Sequence, residues 1–531
     1  MKQWWLVHHW PVLGLSAIYW LLTIPFMSRL PYNWDAAQFV LALRNYDIGM
    51  HQPHPPGYPL FVVLGKLLDL FFSENSALVI IAAVFGYVSV MMFYLFCYRL
   101  WSHRLGSSVI AIAWILNPLF WLYRETALTY TVDAAASITV GYLVWQTMTV
   151  RTRLYVLLSS GVLAVAGAIR PSLVVLLLPL FIFQLSFHRR NWKLVLVSFG
   201  ILIVGTLAWL LPVMWLTGGI GEYITHSRNL YSASATNSNI LEQTKLVFNT
   251  LLISLNLLSI PMVASVVLLA IRYTHYWQRF ITIYIFAAVW IVPALLIYSF
   301  GHFGQLGYAL ILIPPFYLLL IPIVQLAIDR WLGRWLMLIC LVLVSLIFLV
   351  LAPGYAHPNF FPKTRAELYL QHLARWSPNL FKLNAASIRE SDAKLTAFVQ
   401  AIQQYPAEQT LIIAGRDILY PSPANGLLIR NDEVFRELSA LVSDYHSIEV
   451  APGRDYYLTA QFNQMEAVYQ STITLPNEVK YIVFALDVLP DNQPGDILTT
   501  ASTGYHLGVM DRPWTLLGFT FRRANDTIVT P

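Results

Sequence analysis

Charge is what this chain has least of. Asp, Glu, Lys and Arg make up 11% of its 531 residues, against 57% hydrophobic ones. Soluble domains carry about 25% charged residues, so a water-facing surface cannot close around the whole chain and lipid must cover much of it. Cysteine is rarer still. Cys97 and Cys340 sit in or at the end of apolar runs and make no CxxC, metal-ligand spacing or evident disulfide. No extended basic stripe accompanies the net charge of +6, which argues against a nucleic-acid partner. The glycines at 415, 426 and 453 are scattered and build no phosphate-cradling loop. No internal repeat is evident, which disfavours an inverted-repeat transporter. The first apolar run lacks a small-residue cleavage site after it and reads as a retained span.

What the chain does have is long apolar runs. Crossing a bilayer takes roughly 17–25 such residues. Eleven runs qualify, near 10–28, 77–98, 106–122, 127–149, 154–169, 172–187, 193–216, 247–271, 279–299, 307–328 and 335–352. Basic residues gather in five short loops: Arg99 and Arg104; Arg151 and Arg153; Arg189, Arg190 and Lys193; Arg272 and Arg279; Arg330 and Arg334. Asp329 is the single acid among them. A Lys/Arg excess in short loops marks the cytoplasmic side, and alternate crossing from an inside N-terminus puts all five there. That parity requires residues 57–73 not to cross. The segment is short, about 21 Å if helical from Pro59, and carries Lys66 and Asp69, each costing about 2.5–3.5 kcal/mol at a bilayer centre. It reads as a helix along the outer interface. The segment 29–76, the turn at Arg170 and the region 300–306 then lie outside, as does everything after 352. The expectation is a multi-pass protein of the bacterial inner membrane, although an endoplasmic-reticulum protein would obey the same topology.

The composition changes after Ala352. Residues 353–531 hold 18 of the 27 carboxylates, and apolar runs shorten to strand length at 410–415, 480–486 and 515–521. Helical patterns at 391–405 and 431–445 lie between them. The fold class expected is mainly α, a transmembrane helical domain over 1–352 followed by a small extracytoplasmic α/β domain over 353–531. The second domain reads as a packing or acceptor-gripping appendage.

Nine carboxylates in the first 352 residues make a short list of reactive candidates. Asn33 can cap a helix starting at Trp34, which puts Asp35 in its first turn. There the helix dipole favours the ionised form, a plausible general base for a hydroxyl; first-turn Asp is also common without chemistry. In HQPHPPGYPLF (51–61), four prolines fix an extended path, Gly57 releases it and Pro59 suits the first position of a helix. His54 is thereby held rigidly. The pair His51 and His54 lacks a visible third ligand, so no metal site is assigned, and a divalent cation is the one cofactor left open. Glu125 and Asp133 flank the outer start of the fourth span, Asp133 roughly two turns in. Either an intramembrane acid of this kind works on substrate, or it ties helices together. Arg124 can pair with Glu125 at the surface. Arg170, before Pro171, offers a guanidinium matched to phosphate oxygens, or anchors the interface. His302, Gln305 and Tyr308 stand at an outer helix start among three glycines.

An outer Asp after the first span, followed by HPPGYPL, resembles the GT-C superfamily of membrane glycosyltransferases. The likeness is to dolichyl-phosphate-mannose protein mannosyltransferases and related HPPGYPL-containing proteins, and covers residues 1–350 in layout. The resemblance implies transfer of a sugar from a polyprenyl-phosphate-linked donor to an acceptor hydroxyl outside the cytoplasm. It makes Asp35 the base and Asp133 or Glu125 the second acid. His54 takes the place of the donor-side His or Lys, and Arg170, with His302, is a candidate for the lipid-linked phosphate. The chain departs from protein mannosyltransferases in having Ala36 where they have Glu, and in lacking their sugar-binding insertion. A transporter or flippase for a lipid-linked glycan, and a non-catalytic scaffold, are the competing classes; the scarcity of charge within the spans disfavours an ion-coupled pump.

Overall fold

A computed structural model describes residues 2–235, 281–300, 305–319, 321–331, 333–335, 364–376, 383–415, 439–450, 457–461, 464–485, 497–500, 506–509, 513–516 and 518–523, with Thr244 and Val247. The chain divides into two compact units. The first comprises Met1–Ser28 and Tyr58–Arg389, the second Arg29–Gly57 and Glu390–Pro531. The expected runs at 247–271 and 335–352 and most of the helical pattern at 431–445 lie outside the described residues.

The first unit is helical. Helix α1 is Lys2–Leu21, α3 Pro59–Asp69, α4 Glu74–Trp101, α5 Arg104–Ile115, α6 Pro118–Arg124, α7 Tyr130–Val150, α8 Arg153–Ile169, α9 Ser172–Ser186, α10 Trp192–Leu216 and α11 Ile220–Ala235; a further helix is Ile281–Phe300. Among the described residues, segments His9–Phe26, α4, α10 and Ile281–Phe300 are each long and apolar enough to cross a membrane, and α5 with α6 adds a bent fifth. The protein is therefore integral to a membrane. Helix α4 packs along α7, α7 on α8, and α8 on α10. Between α1 and α4 the Tyr19 hydroxyl donates to the Ala83 carbonyl at 2.6 Å.

Two expected spans are broken. The run 106–122 becomes α5 and α6, bent by 65°. Pro118 occupies the first turn of α6, and the Asn117 side chain accepts from the amides of Leu119 and Phe120, so a new helix starts there. The run 307–328 becomes a 3-10 turn, Leu306–Ile311, and helices Ile313–Leu319 and Ile321–Ile328. It carries Pro314, Pro315 and Pro322, which cannot donate to a continuous helix. Helix α3 has 11 residues, roughly 16 Å, too short to cross. It buries Phe61, Val62 and Gly65 and exposes Val63 and Leu67, with Leu70, Phe71 and Phe72 beyond its end.

Among the described residues, the second unit holds α2, Trp34–Arg44, and ten strands: β1 Thr410–Gly415, β2 His446–Val450, β3 Tyr457–Gln461, β4 Gln464–Val468, β5 Thr472–Leu475, β6 Tyr481–Ala485, β7 Ile497–Thr500, β8 His506–Val509, β9 Trp514–Leu516 and β10 Phe519–Arg523. Seven form a mixed sheet in the order β4-β3-β2-β1-β6-β8-β7, with β1 parallel to both β2 and β6. The others form a small sheet ordered β5-β10-β9. Leu411, Ile413, Ile448, Ile482, Trp514 and Phe521 are among the buried core residues. The run 515–521, expected as one strand, is a hairpin in which Phe519 pairs with Leu516. Gly518, at φ +88°, supplies the left-handed residue that such a turn needs.

Candidate active site

The expected site residues fall into two groups, one in each unit. In the second unit, Asn33 caps α2, its Oδ1 accepting from the Ala36 amide at 3.0 Å. Asp35 stands in the first turn, as the cap requires, and is buried. His54 Nδ1 lies 2.7 Å from Gln38 Oε1 and 3.8 Å from Asp35 Oδ1. The imidazole stacks on the Trp34 ring at 6.2 Å between centroids and meets Phe39 at 5.6 Å. With its Nδ1 proton donated to Gln38, a neutral His54 keeps Nε2 as the basic nitrogen.

Residues 51–57 are not the extended path expected from their prolines, since the Gly57 amide turns back to donate to the His54 carbonyl at 3.1 Å. The Asp47 and Gln52 backbones exchange two hydrogen bonds, each 2.7 Å, and the Asp47 carboxylate accepts from the Met50 amide. The Gln52–Pro53 and Pro55–Pro56 bonds are cis. Gly57, at φ +106°, accepts from the Tyr46 hydroxyl, and Pro59 opens α3 as expected.

In the first unit, Arg170 faces Asp133, with Nη1 2.9 Å from Oδ2. The two atoms are close but badly aligned: among the described residues neither makes a well-directed hydrogen bond, nor does Asp133 Oδ1. Arg170 is 5% exposed and Asp133 fully buried. The guanidinium carbon sits 4.4 Å from the Tyr130 ring centre and 4.8 Å from that of Tyr308, and Tyr298 stacks on Tyr308 at 5.6 Å. Pro171 drives Arg170 out of the helical region, to φ −142° and ψ 99°, ending α8 at Ile169. Asp133 lies in the first turn of α7, not two turns in, because Tyr130 and not Ala127 opens that helix.

Glu125 is elsewhere engaged. Its Oε1 accepts from Arg124 Nε at 3.0 Å, and both side chains are fully buried, not paired at the surface as expected. Arg124 also donates to the carbonyls of Ile115 and Leu22 and lies over the Tyr19 ring. Glu125 Oε2 makes no hydrogen bond among the described residues. Of the expected residues around 302–308, His302 lies outside the described residues. The Gln305 carbonyl accepts from the Tyr308 amide, and Gly307 donates to the Tyr123 hydroxyl at 3.0 Å. A Cβ at Gly307 would run into the Tyr130 ring, so this glycine provides the close approach that brings Tyr308 to Arg170. No group of three potential metal ligands occurs among the described residues.

Gln38 and Tyr130 escaped the sequence reading. Each had a signal: Gln38 is one turn on from Asp35 in a helix otherwise apolar up to Arg44, and Tyr130 one turn before Asp133.

The broken apolar helices and the mixed-sheet domain make up a membrane protein whose fold is shared with solved structures. ArnT from Cupriavidus metallidurans, solved bound to undecaprenyl phosphate, matches at a TM-score of 0.54 and 12% identity, covering 87% of this chain and 98% of that one. Its apo form matches at 0.52 and 12%, with 88% and 98% covered. No protein-family profile and no curated protein matches the chain. At such identity the likeness establishes the fold alone.

Proposed function

We propose that this protein is a membrane glycosyltransferase that moves a sugar from a polyprenyl-phosphate-linked donor to an acceptor hydroxyl on the extracytoplasmic face. The observation that carries this reading is Arg170, a desolvated guanidinium flanked by two aromatic rings whose one anionic neighbour among the described residues leaves donors unspent. Such a group meets phosphate oxygens well. Support comes from the fold shared with a protein solved with undecaprenyl phosphate bound.

In the proposed reaction Asp35 takes the proton of the acceptor hydroxyl as its oxygen bonds to the anomeric carbon. The bond from that carbon to the phosphate oxygen breaks, and Arg170 meets the charge left on the polyprenyl phosphate. One displacement inverts the anomeric centre, and a product of retained configuration would contradict the scheme. His54 serves the donor side, Asp133 holds Arg170, and Gln305 and Tyr308 complete the phosphate end. Glu125, locked to Arg124, is left with a structural role.

Binding tests the phosphate assignment. The full chain in lipid nanodiscs should bind undecaprenyl phosphate saturably. Arg170→Gln should weaken binding about tenfold or more, equivalent to roughly 1.4 kcal/mol, and Asp35→Asn should leave it unchanged. Equal affinity in Arg170→Gln and the parent chain would remove the phosphate role.

A further inference from the structure

The residues proposed for proton transfer lie in a segment that belongs structurally to the C-terminal unit. Residues 29–57 are separated from residues 390–531 by more than 300 positions in sequence, yet the two form one compact body. Among the described residues, hydrogen bonds and a sulfur contact at three points fasten them. At the start, the backbone amides of Arg29 and Leu30 donate to Asp392 Oδ2 and Oδ1 at 3.0 and 3.1 Å. At the end of α2, Arg44 Nη2 donates to the Ala440 carbonyl at 2.7 Å. Beyond it, the buried Gln52 places Nε2 3.9 Å from Met465 Sδ. Asp35 and Gln38 lie between the first and second of these points, and His54 follows the third by two residues.

A carboxylate that grips two successive amides fixes both the position and the direction of the chain that enters α2. The helix carrying Asp35 and Gln38 begins four residues after Leu30, so an error in that entry is carried into the base itself. We infer that the α/β domain is a mount for the reactive loop, and that Asp392 is a positioning residue that sets Asp35 and His54. This rests on the reading of Asp35 as the base, and it gives the C-terminal domain a part in turnover beyond gripping an acceptor.

The test uses the full chain in nanodiscs, read by amide hydrogen exchange and by transfer from undecaprenyl-phosphate-linked hexoses. In Asp392→Asn, amides within 33–45 and 51–57 should exchange about tenfold faster. The transfer kcat should fall while affinity for undecaprenyl phosphate holds, and Asp392→Glu, which keeps the carboxylate, should recover part of the loss. Arg44→Gln loosens the second fastening and serves if Asp392→Asn does not fold. Unchanged exchange over 33–57 in both variants would overturn the inference, as would faster exchange with unchanged kcat. A parent chain that transfers no sugar would instead sink the glycosyltransferase reading, while exchange still decides whether Asp392 holds the loop.

Discussion

Single side chains here separate into those that hold the fold and those left with capacity to act. Arg124 Nε donates to Glu125 Oε1 and its Nη1 and Nη2 donate to two carbonyls, while Glu125 Oε2 accepts no hydrogen bond among the described residues. Removing one partner strands the other in a buried position. Arg124→Ala should therefore destabilise the protein by about 3–5 kcal/mol, seen as a large fall in thermal unfolding temperature. Arg170 and Asp133 are as buried but poorly aligned, which suits a pair that must also accept a ligand. Asp392 makes a different prediction. Burial is the larger influence and raises its carboxyl above the ordinary value, with the amides of Arg29 and Leu30 pulling it back. A raised value in the folded chain means tighter proton binding than in the unfolded chain. This group therefore favours folding below the ordinary Asp value of about 3.9 and loses that contribution as pH rises through its raised value. Asp392→Asn, which cannot titrate, should flatten the dependence of unfolding temperature on pH over that window. A slope identical to that of the parent chain would count against the assignment. At this scale the sequence was informative: Asn33 as cap, Asp35 in the first turn and Pro59 opening a helix all follow from local rules. Gln38 and Tyr130 do not, because their roles depend on which residue arrives opposite them.

At the scale of elements, periodicity revealed where helices lie better than where they break. Runs 77–98 and 193–216 correspond to α4 and α10, whereas 106–122 and 307–328 are interrupted at prolines. Hydropathy is blind to such breaks, since the broken pieces are as apolar as a straight span. The break after residue 300 matters for the site. The turn Leu306–Ile311 sets Gly307 against Tyr130 and carries Tyr308 to Arg170. Gly307→Ala should displace the Tyr130 ring and weaken undecaprenyl phosphate binding, with the far ends of the helices keeping their hydrogen-exchange protection. Full retention of binding would show that the ring cage is dispensable. The strands at 410–415 and 480–486 were legible from their short apolar runs. The hairpin within 515–521 was not, because Gly518 punctuates a run that otherwise reads as one strand.

For the whole molecule, the composition changes after Ala352, whereas the second compact unit comprises Glu390–Pro531 together with Arg29–Gly57. The assignment of residues 29–57 to that second body is invisible in composition, because it rests on contacts such as Arg29 with Asp392, made between residues that no local pattern relates. The fold is shared with ArnT at 12% identity, a likeness carried by the layout of the elements and not by the sequence. The account is tested most directly by adding the purified chain to source membranes that lack it, supplied with radiolabelled undecaprenyl-phosphate-linked hexoses. It predicts label moving to a membrane acceptor with inverted configuration, with free undecaprenyl phosphate released in step. Asp35→Asn should abolish both while still binding undecaprenyl phosphate. Undiminished transfer by Asp35→Asn, or no transfer from any such donor, would contradict it.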